Sequence, residues 1–211
     1  MDLLKEKLEA VLGEHLDAED GSHDIHHARR VLANAEEMVR RAGGGNLRFL
    51  TAAAYLHDLV NVPKDSDQRD QASRLSAEAA GPILKELGFS DEEIKAVQHM
   101  IEAHSFSAGI KPETLDAEIL QDADRLEALG ALGIARTFYT AGKMNSSLFH
   151  GDDPFGESRA LDDRNYAVDH FKVKLLGLAE TMKTDAGREV AHERKAFMER
   201  FLEELSREIS P

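Results

Sequence analysis

The 211-residue chain contains no cysteine and no tryptophan. Without cysteine it can form neither a disulfide framework nor a thiolate metal site, which is typical of a protein kept in a reducing compartment. No apolar run approaches the roughly 18 residues that span a bilayer. The charged N-terminal stretch, residues 1–15, also lacks the apolar core of a signal peptide. We therefore expect a cytoplasmic globular protein with no membrane partner.

Basic residues are also scarce, with 26 Lys and Arg against 40 Asp and Glu, so the formal net charge is −14. A field of this sign repels polyanions, and a long nucleic acid is not an expected partner. A small phosphorylated substrate is a different case, because one metal ion and a few cations can offset its charge locally. The 42% of hydrophobic residues suffice for one buried core.

Alternating strand patterns are absent from the sequence, whereas three- and four-residue apolar steps run through most of it. This periodicity predicts an all-α fold, with helices at about 3–12, 23–42, 47–60, 70–87, 90–104, 115–141, 164–181 and 185–209. We expect a single helical domain over residues 1–211, with its core at about 20–141 and C-terminal helices at 164–211. The polar stretch 142–163 is predicted to be a loop near the pocket, because long loops in compact domains are often functional.

Histidine, in contrast, is abundant, and the ten histidines include several in short clusters. The pair His57-Asp58 follows AAAYL and precedes LV, which places it in an apolar helix. Burying a carboxylate costs several kcal/mol unless it is paired or binds a metal. From this pair alone, a metal site and a structural ion pair are about equally supported.

The order of four motifs resembles that of the HD-domain phosphohydrolases. His27 precedes Arg30-Val31 as the first histidine of that family does, His57-Asp58 matches the dipeptide that names it, and Asp124 precedes Arg125-Leu126 like its final aspartate. The segments HSFS, QDADRLEALG, DDPF and LDD are similar to a branch of small bacterial HD hydrolases of about 200 residues. The resemblance implies an HD-domain helical bundle with a C-terminal helical extension. It also implies one divalent metal held by His27, His57, Asp58 and Asp124.

A nitrogen and oxygen donor set without sulfur suits manganese, iron, nickel or magnesium, with zinc less favoured. The implied reaction is hydrolysis of a nucleoside or deoxynucleoside triphosphate to the monophosphate and pyrophosphate, with Asp58 among the catalytic residues. Some relatives place a glutamate one turn after the His-Asp pair, but Leu59 to Val62 contains no carboxylate. Either Asp65 or a histidine then transfers the proton, or the metal-bound water needs no dedicated base.

Five further residues are candidates for substrate binding: Lys64, His99, His104, Ser105 and Arg125. The charges of Lys64 and Arg125 complement phosphate oxygens, although a surface salt bridge would account for either equally well. His99 and His104 can share a ligand only if their helix ends between them, and the segment HSFSAG indicates such an end. We therefore interpret them as phosphate-contacting or supporting groups, with a core histidine as the alternative.

Asp122 competes with Asp124 for the role of last ligand. The two residues point about 200° apart on a helix, so that one faces the ion and the other does not. The family pattern selects Asp124 and leaves Asp122 to orient a ligand histidine.

Two alternatives in function remain open at this point. A di-iron oxygenase on the same scaffold would use His99 or His104 for a second iron, and a non-catalytic nucleotide sensor would keep the fold alone. The last helix carries an apolar stripe that includes Phe197, Phe201 and Leu205. This stripe either packs on the domain or forms the seam of a homodimer.

Overall fold

The computed structural model describes residues 2–15, 24–60, 62, 69–105 and 108–209. These residues are helical apart from loops and one isolated bridge between Ser147 and Tyr166, which confirms the all-α prediction. The helices are α1 (Asp2–His15), α2 (Ile25–Ala42), α3 (Leu47–Leu56), α4 (Ala72–Glu86), α5 (Asp91–His104), α6 (Leu115–Arg125), α7 (Gly130–Lys143), α8 (Ala167–Val173) and α9 (Asp185–Ile209). Short 3₁₀ helices span Arg69–Gln71, Leu126–Ala128 and Leu175–Thr181. Within the described residues, no helix is long and apolar enough to cross a membrane.

Side-chain caps set the starts of three helices. The Asp24 carboxylate accepts a hydrogen bond from the backbone N–H of His27 at 2.8 Å and begins α2. Asn46 caps α3 in the same manner, and Ser90 forms a reciprocal capping box with Glu93 at the start of α5. Because caps satisfy N–H groups that have no partner within the helix, they determine where each helix begins. The cap at Asp24 thereby places His27 in the first turn of α2.

The described chain separates into two compact units. The first comprises the residues up to Asp124 together with Lys183–Gly187, and the second comprises Arg125–Met182 and the residues from Arg188 onward. The prediction of a single domain stays a prediction. In the first unit, α3 is the central helix, and residues 50–56 are all buried. It packs against α1, α2, α4 and α5, so its apolar sequence is explained by contacts on every side.

Three phenylalanine rings form the aromatic core of the second unit. Phe138 of α7, Phe171 of α8 and Phe201 of α9 lie with ring centroids 6.0 to 6.1 Å apart. Phe201 of the predicted apolar stripe is thus packed within its own unit, whereas Phe197 is exposed. A homodimer stays a prediction.

The stretch 142–163 contains no helix beyond the end of α7, and its predicted place near the pocket stays a prediction. Arg159 organises it, since its guanidinium binds both carboxylate oxygens of the buried Asp169 at 2.6 and 2.7 Å. The same guanidinium lies over the Tyr166 ring, 4.8 Å from its centroid. A bidentate, stacked arginine of this kind fixes the loop in one conformation.

Three predicted helices have different bounds in the structure. The helix predicted at 47–60 ends at Leu56, and His57 is its C-cap residue rather than an interior position. The helix predicted at 115–141 is interrupted, because Leu129 is extended and Gly130 has a φ of 71° before α7 starts. Apolar periodicity continues through this break, since Leu126 and Leu129 are both buried, and so the sequence pattern did not reveal it. The helix predicted at 164–181 consists of α8 followed by a 3₁₀ helix.

Candidate metal centre

Five polar side chains meet where helices of the first unit begin or end. His27 lies in the first turn of α2, and His57 and Asp58 lie at the C-terminal end of α3. His104 is the last residue of α5, and Asp124 lies in the last turn of α6. Helix ends expose unsatisfied backbone groups and permit sharp changes of direction. Residues from four separate segments can therefore converge there.

The distances between the donor atoms match those around a single cation. The Nε2 atom of His27 is 3.2 Å from Nε2 of His57 and 3.5 Å from Oδ1 of Asp124. The Nε2 atom of His57 is 3.9 Å from the same Asp124 oxygen and 3.3 Å from Oδ2 of Asp58. Metal bonds of about 2.0 to 2.2 Å place neighbouring ligand atoms about 3 to 3.5 Å apart. The donor set of this cluster therefore fits a divalent metal ion.

Backbone carbonyls determine which ring nitrogens face the cluster. The Nδ1 atom of His57 lies 3.0 Å from the carbonyl oxygen of Ala54, and that of His104 lies 2.6 Å from the carbonyl oxygen of Ile101. Because a carbonyl only accepts, each Nδ1 donates its hydrogen. In the neutral rings this leaves the Nε2 lone pair to face the cluster. Nε2 is the nitrogen a ligand histidine uses when Nδ1 is held by the backbone.

The charges of the cluster favour a cation at this point. Burial by itself would lower the pKa of His57, but the carboxylates of Asp58 and Asp124 outweigh it and raise that pKa to about 9. For Asp58, burial opposes ionisation, yet the neighbouring rings of His57 and His104 hold its pKa well below the usual range. The carboxylate field that stabilises a proton on His57 also stabilises a metal cation among the same atoms.

The prediction that the His-Asp pair lies within an apolar helix is corrected, and its two members differ in exposure. The His57 side chain is 2% exposed, whereas that of Asp58 is 35% exposed. The difference arises because α3 ends at Leu56, so Asp58 lies in the turn that follows and not on an enclosed helix. Asp58 is therefore partly accessible to solvent, as is Asp124 at 29% exposure.

The structure places Asp122 and Asp124 in different surroundings. The Asp122 carboxylate is fully buried and accepts hydrogen bonds from the backbone N–H groups of Lys183 and Thr184 and from the Thr184 hydroxyl, at 2.8 to 3.1 Å. Gly187 leaves room for it, since a Cβ at that position would collide with Asp122 Oδ2. The Asp122 carboxylate thus binds the 183–187 segment, and its predicted role in orienting a histidine stays a prediction. Asp124 is the aspartate of this pair in the cluster of donors.

The substrate-binding candidates are dispersed. His104 joins the cluster, with its Nε2 atom 3.6 Å from Oδ1 of Asp58, and Ser105 follows it as the C-cap of α5. The Nε2 atom of His99 accepts a hydrogen bond from the backbone N–H of Glu113 at 3.0 Å, so this ring holds the segment before α6. Because α5 continues to His104, the two histidines point in different directions, and the predicted break between them is wrong.

Arg125 contacts Thr181 within the second unit, to which both residues belong. Its guanidinium donates to the carbonyl oxygen of Thr181 at 2.8 Å and to the Thr181 hydroxyl at 3.2 Å. Its predicted role in substrate binding stays a prediction. Lys64 and Asp65 lie outside the described residues, and their predicted roles likewise stay predictions.

Two amide side chains near the cluster were not identified from the sequence. Asn34 of α2 donates to the carbonyl oxygen of Ala123 at 3.1 Å, and the buried Gln121 of α6 donates to that of Ala103 at 2.6 Å. One signal was available for Asn34, which follows His27 by seven residues and thus lies on the same face of α2. No pattern in the sequence identifies the acceptor of either amide.

Comparison with protein families agrees with this site. The model of the HD domain matches residues 24–129, which is half of the chain and spans all five residues of the cluster. The chain therefore belongs to the HD-domain family, and the recognition of that family from its motifs is confirmed.

The similar proteins are bacterial and of similar length. YpgQ of Bacillus subtilis (strain 168) is 33% identical over 195 residues, which cover 90% of this chain and 86% of YpgQ. The crystal structure of B. subtilis YpgQ in complex with ADP has a TM-score of 0.74 at 32% identity and covers 99% of this chain and 94% of that one. An HD-superfamily hydrolase from Bacillus thuringiensis has a TM-score of 0.76 at 29% identity, covering 98% and 97% of the two chains.

Proposed function

We propose that this chain is a metal-dependent phosphohydrolase that cleaves a nucleoside or deoxynucleoside triphosphate to the monophosphate and pyrophosphate. The observation that carries the proposal is the cluster in which His27, His57 and Asp124 present donor atoms all within 4.8 Å of one another. Asp58 adds a fourth donor 3.3 Å from His57. Membership of the HD family supports the hydrolase class.

These four residues would hold one divalent ion, with manganese, iron, nickel and magnesium favoured over zinc by the donor set. A bound ion of this kind acidifies water and offsets charge on phosphoryl oxygens. The chain itself supplies orientation, because the Nδ1 bond of His57 to Ala54 keeps Nε2 directed at the ion position. Asp58, which is partly exposed, lies where a substrate can approach.

A nucleotide substrate is supported by the likeness to YpgQ, which was crystallised in complex with ADP. The net charge of −14 fits a small anionic substrate better than a polymer, because local cations have only a few phosphate charges to offset. We infer that His104 contacts the substrate next to Asp58. Its ring centroid lies 4.7 Å from that of His57, and its Nε2 atom is 3.6 Å from Oδ1 of Asp58.

The decisive experiment incubates the purified chain with manganese and a panel of nucleotides, then identifies the products by mass. We expect monophosphate and pyrophosphate in equal amounts, and we expect the His57→Ala variant to release neither. His192→Ala is the matched control, because this exposed histidine lies on α9 in the second unit. Equal turnover by the two variants would contradict the site assignment.

One observation favours a second candidate, a di-iron oxygenase. His57, Asp58 and His104 form a second group whose donor atoms lie within 4.8 Å of one another. Two irons per chain, together with oxygen consumption and no phosphate release, would select the oxygenase. One metal per chain with pyrophosphate release would select the phosphohydrolase.

A further inference from the structure

Asp124 projects from the last turn of α6, directly before the 3₁₀ helix Leu126–Ala128. The last four carbonyls of an α-helix have no partner within that helix, and α6 ends at Arg125. Contacts of this turn with neighbouring elements therefore influence where the Asp124 carboxylate lies. A metal ligand in such a place needs support from neighbouring elements.

The structure shows that support in the contacts of the two residues that precede Asp124. The carbonyl of Ala123, the preceding residue, accepts a hydrogen bond from the Asn34 amide at 3.1 Å. One residue further back, the buried Asp122 carboxylate is held by the backbone N–H groups of Lys183 and Thr184. The last turn of α6 is thus attached to α2 through a carbonyl and to the 183–187 segment through a carboxylate.

Asn34 has an additional property, because it shares its helix with a second residue of the cluster. It follows His27 by seven residues, which is two turns of α2 and about 10 Å along one face. The amide bond to Ala123 therefore links the helix that carries His27 directly to the turn that carries Asp124. His27 Nε2 and Asp124 Oδ1, which lie on the two elements that this bond joins, are 3.5 Å apart.

We propose that Asn34 is a positioning residue for the metal centre, acting through Ala123 to hold the Asp124 carboxylate at the correct distance from His27. This inference rests on the proposed function, since it requires that the cluster binds a metal. Asn34 itself is not a ligand in this proposal. Its loss leaves all four donor side chains present but permits the last turn of α6 to move.

The test measures manganese affinity by calorimetry on the full chain after removal of metal by a chelator. Asn34→Leu keeps the approximate size of the side chain and removes the donor. We expect this variant to bind manganese about tenfold more weakly than the wild type, the lower end of the range for residues that orient ligands. Wild-type affinity in Asn34→Leu would overturn the proposal.

Gln98→Leu is the matched control. The Gln98 amide donates to the carbonyl oxygen of Ala77 at 2.8 Å and links α5 to α4, so the same chemistry is removed at a position without a cluster residue next to the acceptor. We expect a loss of thermal stability similar to that of Asn34→Leu, with manganese affinity within about twofold of the wild type. An equal loss of affinity in both variants would assign the effect to general destabilisation and overturn the proposal.

A double-variant cycle distinguishes positioning of Asp124 from other effects of Asn34. In an Asp124→Asn background, removal of the Asn34 amide should cause little further loss of affinity, because the carboxylate that it positions is already gone. Additive losses would contradict the proposal. If the wild type binds no manganese, or binds it independently of Asp124, the proposed function fails together with this inference. Wild-type binding that depends on Asp124 but not on Asn34 would overturn the inference alone.

Discussion

Asp122 and Asp124 are the same amino acid on the same turn of α6, yet their surroundings give them different tasks. The Asp122 side chain is 0% exposed and accepts from several donors of the 183–184 segment. The Asp124 side chain is 29% exposed and faces two imidazoles. A buried, fully hydrogen-bonded carboxylate contributes to stability, whereas a partly exposed one among other donors contributes to binding.

Exchange of each carboxylate for an amide should separate these tasks. We expect Asp122→Asn to lower the free energy of unfolding by about 3 kcal/mol, because the amide group cannot accept all the hydrogen bonds that the carboxylate receives. Asp124→Asn should leave the stability of the metal-free chain nearly unchanged and lower its affinity for manganese. Urea denaturation and calorimetry of both variants measure the two quantities. The reverse pattern would show that Asp122 is the ligand.

At the scale of the helices, a surface cluster fastens α1 to α2 and α3. The Glu9 carboxylate accepts two hydrogen bonds from Arg29 at 2.7 Å and one from the Tyr55 hydroxyl at 2.8 Å. The bonds from Arg29, followed by that from Tyr55, lower the pKa of Glu9 to about 2. This cluster is therefore one of the contacts that hold α1 against α2 and α3 in the first unit.

The low pKa of Glu9 predicts how stability depends on pH. In the unfolded chain the pKa of a glutamate is about 4.3, so folding lowers the pKa of Glu9. The stabilisation is fully present above the unfolded pKa and is lost as the pH falls through about 2. We expect Glu9→Gln to be less stable than the wild type at pH 6, and the difference should shrink steadily between pH 5 and pH 2. Urea denaturation across that range checks it; a constant difference would contradict the assignment.

Two glycines of α7 should respond in opposite ways to the same substitution. A Cβ on Gly133 would collide with the backbone carbonyl of Ala128, whereas one on Gly142 meets nothing within 4 Å. We expect Gly133→Ala to lower the free energy of unfolding by about 2 kcal/mol, because backbone must move to admit the methyl group. Gly142→Ala should be neutral or slightly stabilising, since alanine favours the helix. Thermal denaturation of both variants is sufficient, and equal melting temperatures would count against the close approach.

At the scale of the whole molecule, the proposed metal links distant segments of the first unit. The four proposed ligands come from α2, the end of α3 and α6. His27 and His57 are 30 residues apart in the chain, and Asp58 and Asp124 are 66 residues apart. An ion bound by all of them stabilises the folded state only, because the unfolded chain cannot bring them together.

Manganese should therefore raise the melting temperature of the chain, and a chelator should reverse the effect. At a free concentration about 100 times the dissociation constant, the expected gain is about 2.7 kcal/mol. Differential scanning calorimetry with manganese and with chelator measures it. The His57→Ala variant should melt at the same temperature under both conditions. If manganese also leaves the melting temperature of the wild type unchanged, the result contradicts the proposed function.

The sequence by itself determined the helical class, most helix bounds and the family motifs. Apolar periodicity, the capping signals at Ser90 and the glycines after Ala42 act over a few residues, so they can be interpreted without knowledge of the fold. The HD motifs identified the family and proposed four ligands before any geometry was known. The resemblance, not periodicity, favoured Asp124 over Asp122.

Only the tertiary structure decided which partners each polar side chain has. The contact of His104 with Asp58, the bond of His99 to Glu113 and the bond of Asn34 to Ala123 all join different elements of the fold. Such contacts depend on how helices pack and where they end, because a shift of one residue turns a side chain by about 100°. Local sequence patterns contain no information about the distance between the ends of two helices, because that distance is set by how the helices pack.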